Sequence, residues 1–554
     1  MQTRWTTGRS VSALVLLALL GCALCVSTYR IFGNFWDEPE HLAAGLVLID
    51  RQEYLYDNQH PPLARLAAAL GPALAGVRIR GKPDPIGEAE GRDLLYHSNI
   101  SYERVLTLAR LGMLPFLLVL LGATWAWTRH WYGNAAAVLA ALFLVSTPVI
   151  LGDAGVVALD VPVTAMTMAS LWLLLRWLEH RSAARALWLG LSGGLAVATK
   201  LSAVPFIGIA AITLLVLRLL LVPRQPLPAR WTCGLSTLAI SLVLALLIPI
   251  AVYGPKLVYL TTPDLAPSLS LDEWVGSTGA LHDLAYRIAA HVRVPLGMEI
   301  LPLNFRGVEW HNEYGHPSFL LGQTAKEGWW YFYPVALTFK TTLPMLGLGL
   351  IGLGLLAVRG WRAGNVFVLA PSACFVSILA FCCVYSHINI GVRHVLIAFP
   401  LLAMGAACAT VAIWQRWPAR AARALLLALL LWQVATLAYA YPDYLAYFNF
   451  LAGSHPERIL VDSDLDWGGQ DLRRLERVLA ARHVPQIALG YKGTADLSLE
   501  ALPPYTLLKP DQPVHGWVAI TMMTLQENQA AYGWLLRYAP VQRVGQSFYL
   551  YFIP

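Results

Sequence analysis

The chain has 554 residues, 57% of them hydrophobic and only 13% charged, with a net charge of +7. So apolar a composition excludes a soluble globular enzyme and a disordered chain, and marks a protein that uses the bilayer as its solvent. The positive surplus does not point to nucleic acid, because short arginine-bearing loops between apolar runs account for most of it.

The first apolar run, Val11 to Val26, follows Arg4 and Arg9 and has no clear small-residue cleavage site before the next loop. It reads as a retained anchor rather than a signal peptide. A membrane helix needs ~20 mostly apolar residues, and about eleven such runs can be drawn along the chain. They lie near 10–30, 105–127, 135–152, 161–178, 187–205, 206–222, 234–253, 332–357, 365–385, 395–412 and 424–441. Alternate loops carry Arg4/Arg9, Arg129, Arg181/Arg185, Arg224/Arg230, Arg359/Arg362 and Arg416/Arg420/Arg423. Short basic loops stay cytoplasmic, which puts the N-terminus inside and, after an odd number of spans, the C-terminus outside. Of the 33 acidic residues only Glu179 falls on the basic side.

Three long stretches are then extracytoplasmic. In residues 31–104, Trp36 to Asp50 and Pro61 to Val77 read as amphipathic helices lying along the membrane surface. Residues 254–331 are rich in Trp, Tyr, His and Gly with little periodicity, so short helices and irregular chain are expected, able to act as a lid. Residues 443–554 read as a small α/β domain: strands at Ile459–Val461, 486–490, Trp517–Thr521 and Phe548–Ile553, with a helix from Asp471 to Arg482. The domain division is thus 1–442 and 443–554. All seven cysteines lie in or beside apolar runs, so no disulfide framework is expected.

The sharpest local feature is Asp37-Glu38 within Gly33-Asn34-Phe35-Trp36-Asp37-Glu38-Pro39-Glu40, just after the first span. Carboxylates at a helix mouth are costly to desolvate unless hydrated, used as helix caps or employed in chemistry. Asn58-Gln59-His60-Pro61-Pro62-Leu63-Ala64-Arg65 follows in the same loop. This order resembles the first loop of GT-C glycosyltransferases, of the protein O-mannosyltransferase and lipid A aminoarabinose transferase branch. Further along, Leu159-Asp160-Val161-Pro162, the Gly194 to Lys200 segment, Glu327-Gly328-Trp329-Trp330-Tyr331, Gly391-Val392-Arg393-His394 and Val461 to Asp471 resemble bacterial phospholipid-carrier-dependent members. Ala64-Arg65 departs from the Gly-Lys of many mannosyltransferases, so sugar and acceptor preference do not transfer.

The resemblance implies a GT-C-like polytopic enzyme of the cell membrane. It would move a sugar from a polyprenyl-phosphate donor to a protein, lipid or glycan acceptor. Such a transfer needs a carboxylate to relieve the acceptor hydroxyl of its proton, and cations to receive the leaving phosphate. Asp37 is the expected base, with Glu38 orienting the acceptor or tuning it; the resemblance adds Asp160 as an active-site acid, and Asp153 is read as a helix cap. His60 is a sugar or phosphate contact or a loop residue. Arg393, Lys200 and Lys340, in that order and with His394 beside the first, are the phosphate candidates; the alternative is anchoring in the lipid headgroups, easy for Lys200 and harder for Lys340. Some relatives use a divalent ion and others do not, so a metal is left open. Asp462, Asp464 and Asp466 mimic the start of a calcium loop, but Arg473 stands where the closing glutamate belongs, and a strand-to-helix turn is preferred. A transporter or flippase of lipid-linked sugars is the alternative; it predicts inverted repeats, which the chain lacks. A membrane scaffold would leave the acids without a purpose.

Overall fold

The computed structural model describes residues 6–57, 59–221, 231–259 and 278–554. Asn58, Arg4, Arg224, Arg230 and residues 260–277 of the second loop lie outside it. In chain order the N-terminal half forms α1 (Thr7–Thr28), α2 (Glu38–Arg51), α3 (Leu63–Leu74), α4 (Gly87–Tyr96), α5 (Tyr102–Leu111), α6 (Leu114–Tyr132), α7 (Asn134–Val145) and α8 (Pro148–Ala154). It continues with α9 (Asp160–Glu179), α10 (Ala183–Thr199), α11 (Ala203–Leu221) and α12 (Trp231–Val252). Leu343–Arg362, Val366–Tyr385, Ala398–Arg416 and Arg420–Ala440 complete the bundle.

Among the described residues, nine helices are long and apolar enough to cross a membrane, and α7 with α8, bent by 67°, makes a tenth if taken as one span. The protein is therefore a multi-span membrane protein, but the count of about eleven is not reached. Two runs that look continuous in sequence are broken. The 187–205 run leaves the helix at Lys200, whose backbone is extended (φ −159, ψ 137), so α10 has 17 residues. The 332–357 run breaks at Thr341-Thr342 into Phe332–Lys340 and Leu343–Arg362, where Pro344 suits the first turn of the second helix. Packing is close where glycines face each other: a Cβ on Gly352 would lie 1.8 Å from the Gly405 carbonyl.

The two helices expected in the first loop form as α2 and α3, and most of α2, from His41 to Leu48, is buried. The second loop is more regular than its sequence suggests, with a 19-residue helix, Leu296–Tyr314, despite Pro302 inside it. Two small antiparallel sheets flank that helix: β1 (Leu257–Tyr259) pairs with β2 (Arg293–Pro295), and β3 (Ser318–Leu320) forms a hairpin with β4 (Gln323–Ala325). The C-terminal part holds β5 (Ile487–Gly490), β6 (Tyr505–Leu507), β7 (Gly516–Thr521), β8 (Gln542–Val544) and β9 (Phe548–Ile553) in the order β6-β5-β7-β9-β8. Its first three strands run parallel, and β9 is antiparallel to both its neighbours. The helix Leu472–Ala481 lays Leu472, Leu475 and Leu479 on Ile487, Leu489, Phe548 and Leu550. The strand expected at Ile459–Val461 is absent. There the Val461 carbonyl accepts from both Leu465 N and Asp466 N, closing a tight loop instead of a ladder.

Candidate active site

The turn after α1 is tied by its backbone to the C-terminal part: Gly33 N donates to Gln470 O and Trp36 N to Trp467 O, both at 3.1 Å. Asp37 follows as the residue preceding α2. Its side chain makes no capping hydrogen bond, so the cap reading does not describe it. Instead it accepts from Arg393 Nη1 at Oδ2, at 2.8 Å. Arg393 sits in the 3-10 turn Val392–Val395, just after Gly391. Gly391 has φ +75, and a Cβ there would meet Ser463 Oγ at 2.4 Å, so the turn can press against the Asp462–Asp464 loop only with glycine.

Arg393 Nη1 also stands 3.7 Å from Asp160 Oδ2, and Lys200 Nζ donates to Asp160 Oδ1 at 2.6 Å. The guanidinium lies over the Trp467 ring, 4.2 Å from its centroid. Four residues named from sequence therefore meet: Asp37, Asp160, Lys200 and Arg393. Asp160 and Lys200 reach the cluster from adjoining helix ends, the start of α9 and the break after α10. Asp37 keeps 26% of its side chain exposed while Asp160 keeps 3%, so Asp37 is the acid that an incoming group can touch. Burial opposes the Arg393 charge, but Asp37 and Asp160 outweigh it and raise its pKa above the ordinary value. Asp153 lies inside α8 and is not the cap of α9, whose N-cap is Leu159.

Other expected residues do not join this cluster. Glu38 is 2% exposed, and its carboxylate accepts from Arg110 Nε (2.8 Å) and Nη2 (2.7 Å), Phe35 N (2.9 Å) and Val157 N (2.9 Å). With both oxygens so engaged it locks the first loop to α5 and takes no part in the Asp37–Arg393 pair. Lys340 is fully buried; its ammonium donates to Leu445 O at 2.7 Å and to Asp464 O. It clamps the C-terminal part to the bundle. His60 pairs through Nδ1 with Asp57 Oδ2 at 2.7 Å, and buried Arg65 binds Asp57, Tyr54 Oη and the His60 carbonyl. The arginine that departs from the Gly-Lys pattern is thus the hub of the loop's own fold.

Histidines complete the rim. Burial, then the charges of Lys200 and Arg393, hold His394 well below the usual imidazole range. His311 Nδ1 faces Gln59 Oε1 at 2.8 Å and its Nε2 faces His316 Nδ1 at 3.3 Å. Burial, then His316, lowers His311 to about 4. His311 and His316 were not singled out from sequence; their only signal is two histidines five residues apart in a polar loop. Among the described residues no three His, Cys, Asp or Glu side chains gather as ligands for a metal ion.

Residues 51–257 match the sequence profile of the family described as Dolichyl-phosphate-mannose-protein mannosyltransferase. That stretch holds His60, Asp160 and Lys200 but neither Asp37 nor Arg393. No curated protein matches the chain by sequence. Among solved structures, the Archaeoglobus fulgidus oligosaccharyltransferase in the apo form is 14% identical, with a TM-score of 0.50 over 96% of this chain and 64% of that one. ArnT from Cupriavidus metallidurans bound to undecaprenyl phosphate is 14% identical, with a TM-score of 0.49 over 97% of both chains. The likeness is one of fold: this is a multi-span membrane protein whose helical bundle is built like that of the oligosaccharyltransferase, with a small C-terminal sheet domain.

Proposed function

We propose that the chain is a membrane glycosyltransferase that moves a sugar from a polyprenyl-phosphate-linked donor to an acceptor hydroxyl outside the cytoplasm. The observation that carries this reading is the meeting of Asp37, Asp160, Lys200 and Arg393 at one rim of the bundle. Two carboxylates and two cations cancel in the free protein. A phosphate entering the site competes for Arg393 and Lys200 and frees Asp37 from its ion pair. The freed carboxylate accepts the proton of the acceptor hydroxyl as that oxygen bonds to the anomeric carbon. The bond from that carbon to the donor phosphate breaks, and its electron pair leaves on polyprenyl phosphate. The leaving group gains a negative charge, which Arg393 and Lys200 stabilise most in the transition state. A single displacement of this kind inverts the anomeric centre.

Asp160 holds the two cations in place, and neutral His394 lines the donor side. His60 stands at the edge where the sugar enters. Glu38 and Lys340 serve the frame rather than the reaction. The family match over residues 51–257 supports a lipid-phosphate donor. The arginine-rich loops at the far ends of the helices support a cell-membrane location with residues 443–554 outside. The test is transfer by purified protein in vesicles supplied with polyprenyl-phosphate sugars, alongside mass analysis of glycans, lipids and proteins from cells with and without the gene. Release of polyprenyl phosphate coupled to a new glycosidic product is expected. No such release, and no altered product in the cells, would overturn the reading.

A further inference from the structure

A second polar cluster lies where the second loop meets the C-terminal domain. His316, just before β3, places Nε2 3.6 Å from Asp462 Oδ2. The hairpin that follows is pinned there, since Leu321 N donates to Ile459 O at 3.0 Å. From the other wall comes the helix Met522–Glu527, held at its start by Met523 N donating to Asp466 Oδ2 at 2.9 Å. At its end Glu527 receives Lys492 Nζ on Oε2 at 2.7 Å. The Glu527 side chain is only 8% exposed, yet its buried Oε1 meets no donor among the described residues. Burial, then the charge of Asp462, holds the Glu527 carboxyl above its ordinary range, and the helix that carries Glu527 packs against β3, next to His316. Asp462 bears also on Arg393, which joins this cluster to the transfer site.

A desolvated carboxylate oxygen without a donor is costly, and a ligand that brings donors removes that cost. Among the described residues no three His, Cys, Asp or Glu side chains converge there, and a bare cation brings no hydrogen-bond donor. Hydroxyl groups do: each donates to a carboxylate while accepting from a flanking cation or imidazole. We infer that Asp462, Glu527, Lys492 and His316 form a subsite for the hydroxyl-bearing face of a sugar, so that the acceptor is itself a glycan. This rests on the proposed transfer reaction and names its acceptor class.

The experiment uses the full chain in nanodiscs. Saturation-transfer NMR probes neutral methyl glycosides and, separately, an Nα-acetyl-lysine amide, while binding of polyprenyl phosphate is followed on the same samples. Glycoside saturation is expected in the wild type and in Arg393→Ala. It should fall about fivefold or more in Glu527→Gln and in Lys492→Met. Polyprenyl phosphate binding should persist in both of those and weaken in Arg393→Ala. Should Glu527→Gln fail to fold, as judged by thermal unfolding, the half-exposed Lys492→Met carries the test alone. Undiminished glycoside signal in the folded variants, or saturation of the lysine probe only, overturns the subsite. Loss of the donor site alone shows instead as polyprenyl phosphate binding that Arg393→Ala leaves untouched.

Discussion

Asp37 and Arg393, 356 residues apart in the chain, meet in a 2.8 Å hydrogen bond from Nη1 to Oδ2. Asp160 shares the same nitrogen at 3.7 Å and holds Lys200 at 2.6 Å. One guanidinium bridges the two carboxylates and fixes their separation. The arrangement is a rim of opposite charges that any phosphate must rearrange in order to enter, and its consequences can be measured residue by residue.

Asp37→Asn keeps size and loses proton affinity. Folding should survive, since the side chain is a quarter exposed and caps nothing. Turnover should fall by ~10²–10⁴-fold, the usual worth of a general base. Sugar transfer and donor binding measured on one preparation decide the matter; a near-wild-type rate would pass the role to another acid.

Arg393→Lys preserves charge but loses the planar fork and its seat over Trp467. Donor affinity should weaken, as it should in Lys200→Ala, while membrane insertion persists. Titration with polyprenyl phosphate reads the effect. Unchanged affinity in both Arg393→Ala and Lys200→Ala would leave these residues as anchors in the lipid headgroups.

Glu38 should behave unlike its neighbour. Glu38→Ala removes four accepted hydrogen bonds and strands the buried Arg110 charge. Breaking a buried pair from one side costs about 3–5 kcal/mol, so thermal stability in detergent should drop sharply. A stable Glu38→Ala protein that loses only turnover would return Glu38 to the chemistry.

Two carboxyls outside the spans make stability depend on pH. Burial lifts Asp466 to about 7 despite two backbone N–H donors, and burial with Asp57 lifts Glu40 to about 7. Between the ordinary carboxylate range and pH 7 the folded chain keeps protons that the unfolded chain has shed. Their contribution is complete below pH ~4 and is lost as pH rises through about 7, so Tm should fall from pH 5 to pH 8. Asp466→Asn should flatten that slope while lowering Tm overall, because its amide faces one of the two N–H donors. A slope identical to wild type would exclude Asp466 as a source.

A phosphatase fused after residue 554 should be active only when exported, in keeping with the alternation of basic loops. Activity there of a reporter confined to the cytoplasm would reverse the topology, and the outward-facing site with it.

What was legible in the sequence was set by where apolar runs end. Asp37 after α1, Asp160 at the head of α9 and Arg393 ahead of the Ala398–Arg416 helix all sit where hydropathy changes, so their shared rim could be anticipated. Direction was not legible. Asp37 and Glu38 are adjacent and chemically alike, yet one pairs with Arg393 and the other with Arg110, and only the packing of distant segments against the loop tells them apart. Lys340 looked like a phosphate ligand because its partners are backbone carbonyls more than a hundred residues away, which no local pattern records. The break after α10 was hidden for a similar reason. Leu201, Ala203 and Val204 keep the run apolar while Lys200 leaves the helix to reach Asp160.

The ties from Gly33 and Trp36 to Gln470 and Trp467, and the seat that Trp467 gives Arg393, bear on the order in which the molecule is made. Asp37 leaves the ribosome long before Trp467 and Gln470, the residues that tie down the turn ahead of it. A nascent chain halted in the bundle thus inserts in the membrane with its rim unfinished. The same ties govern exchange between relatives: a transplanted C-terminal domain needs the turn before α2 and the Gly391–Arg393 corner to travel with it.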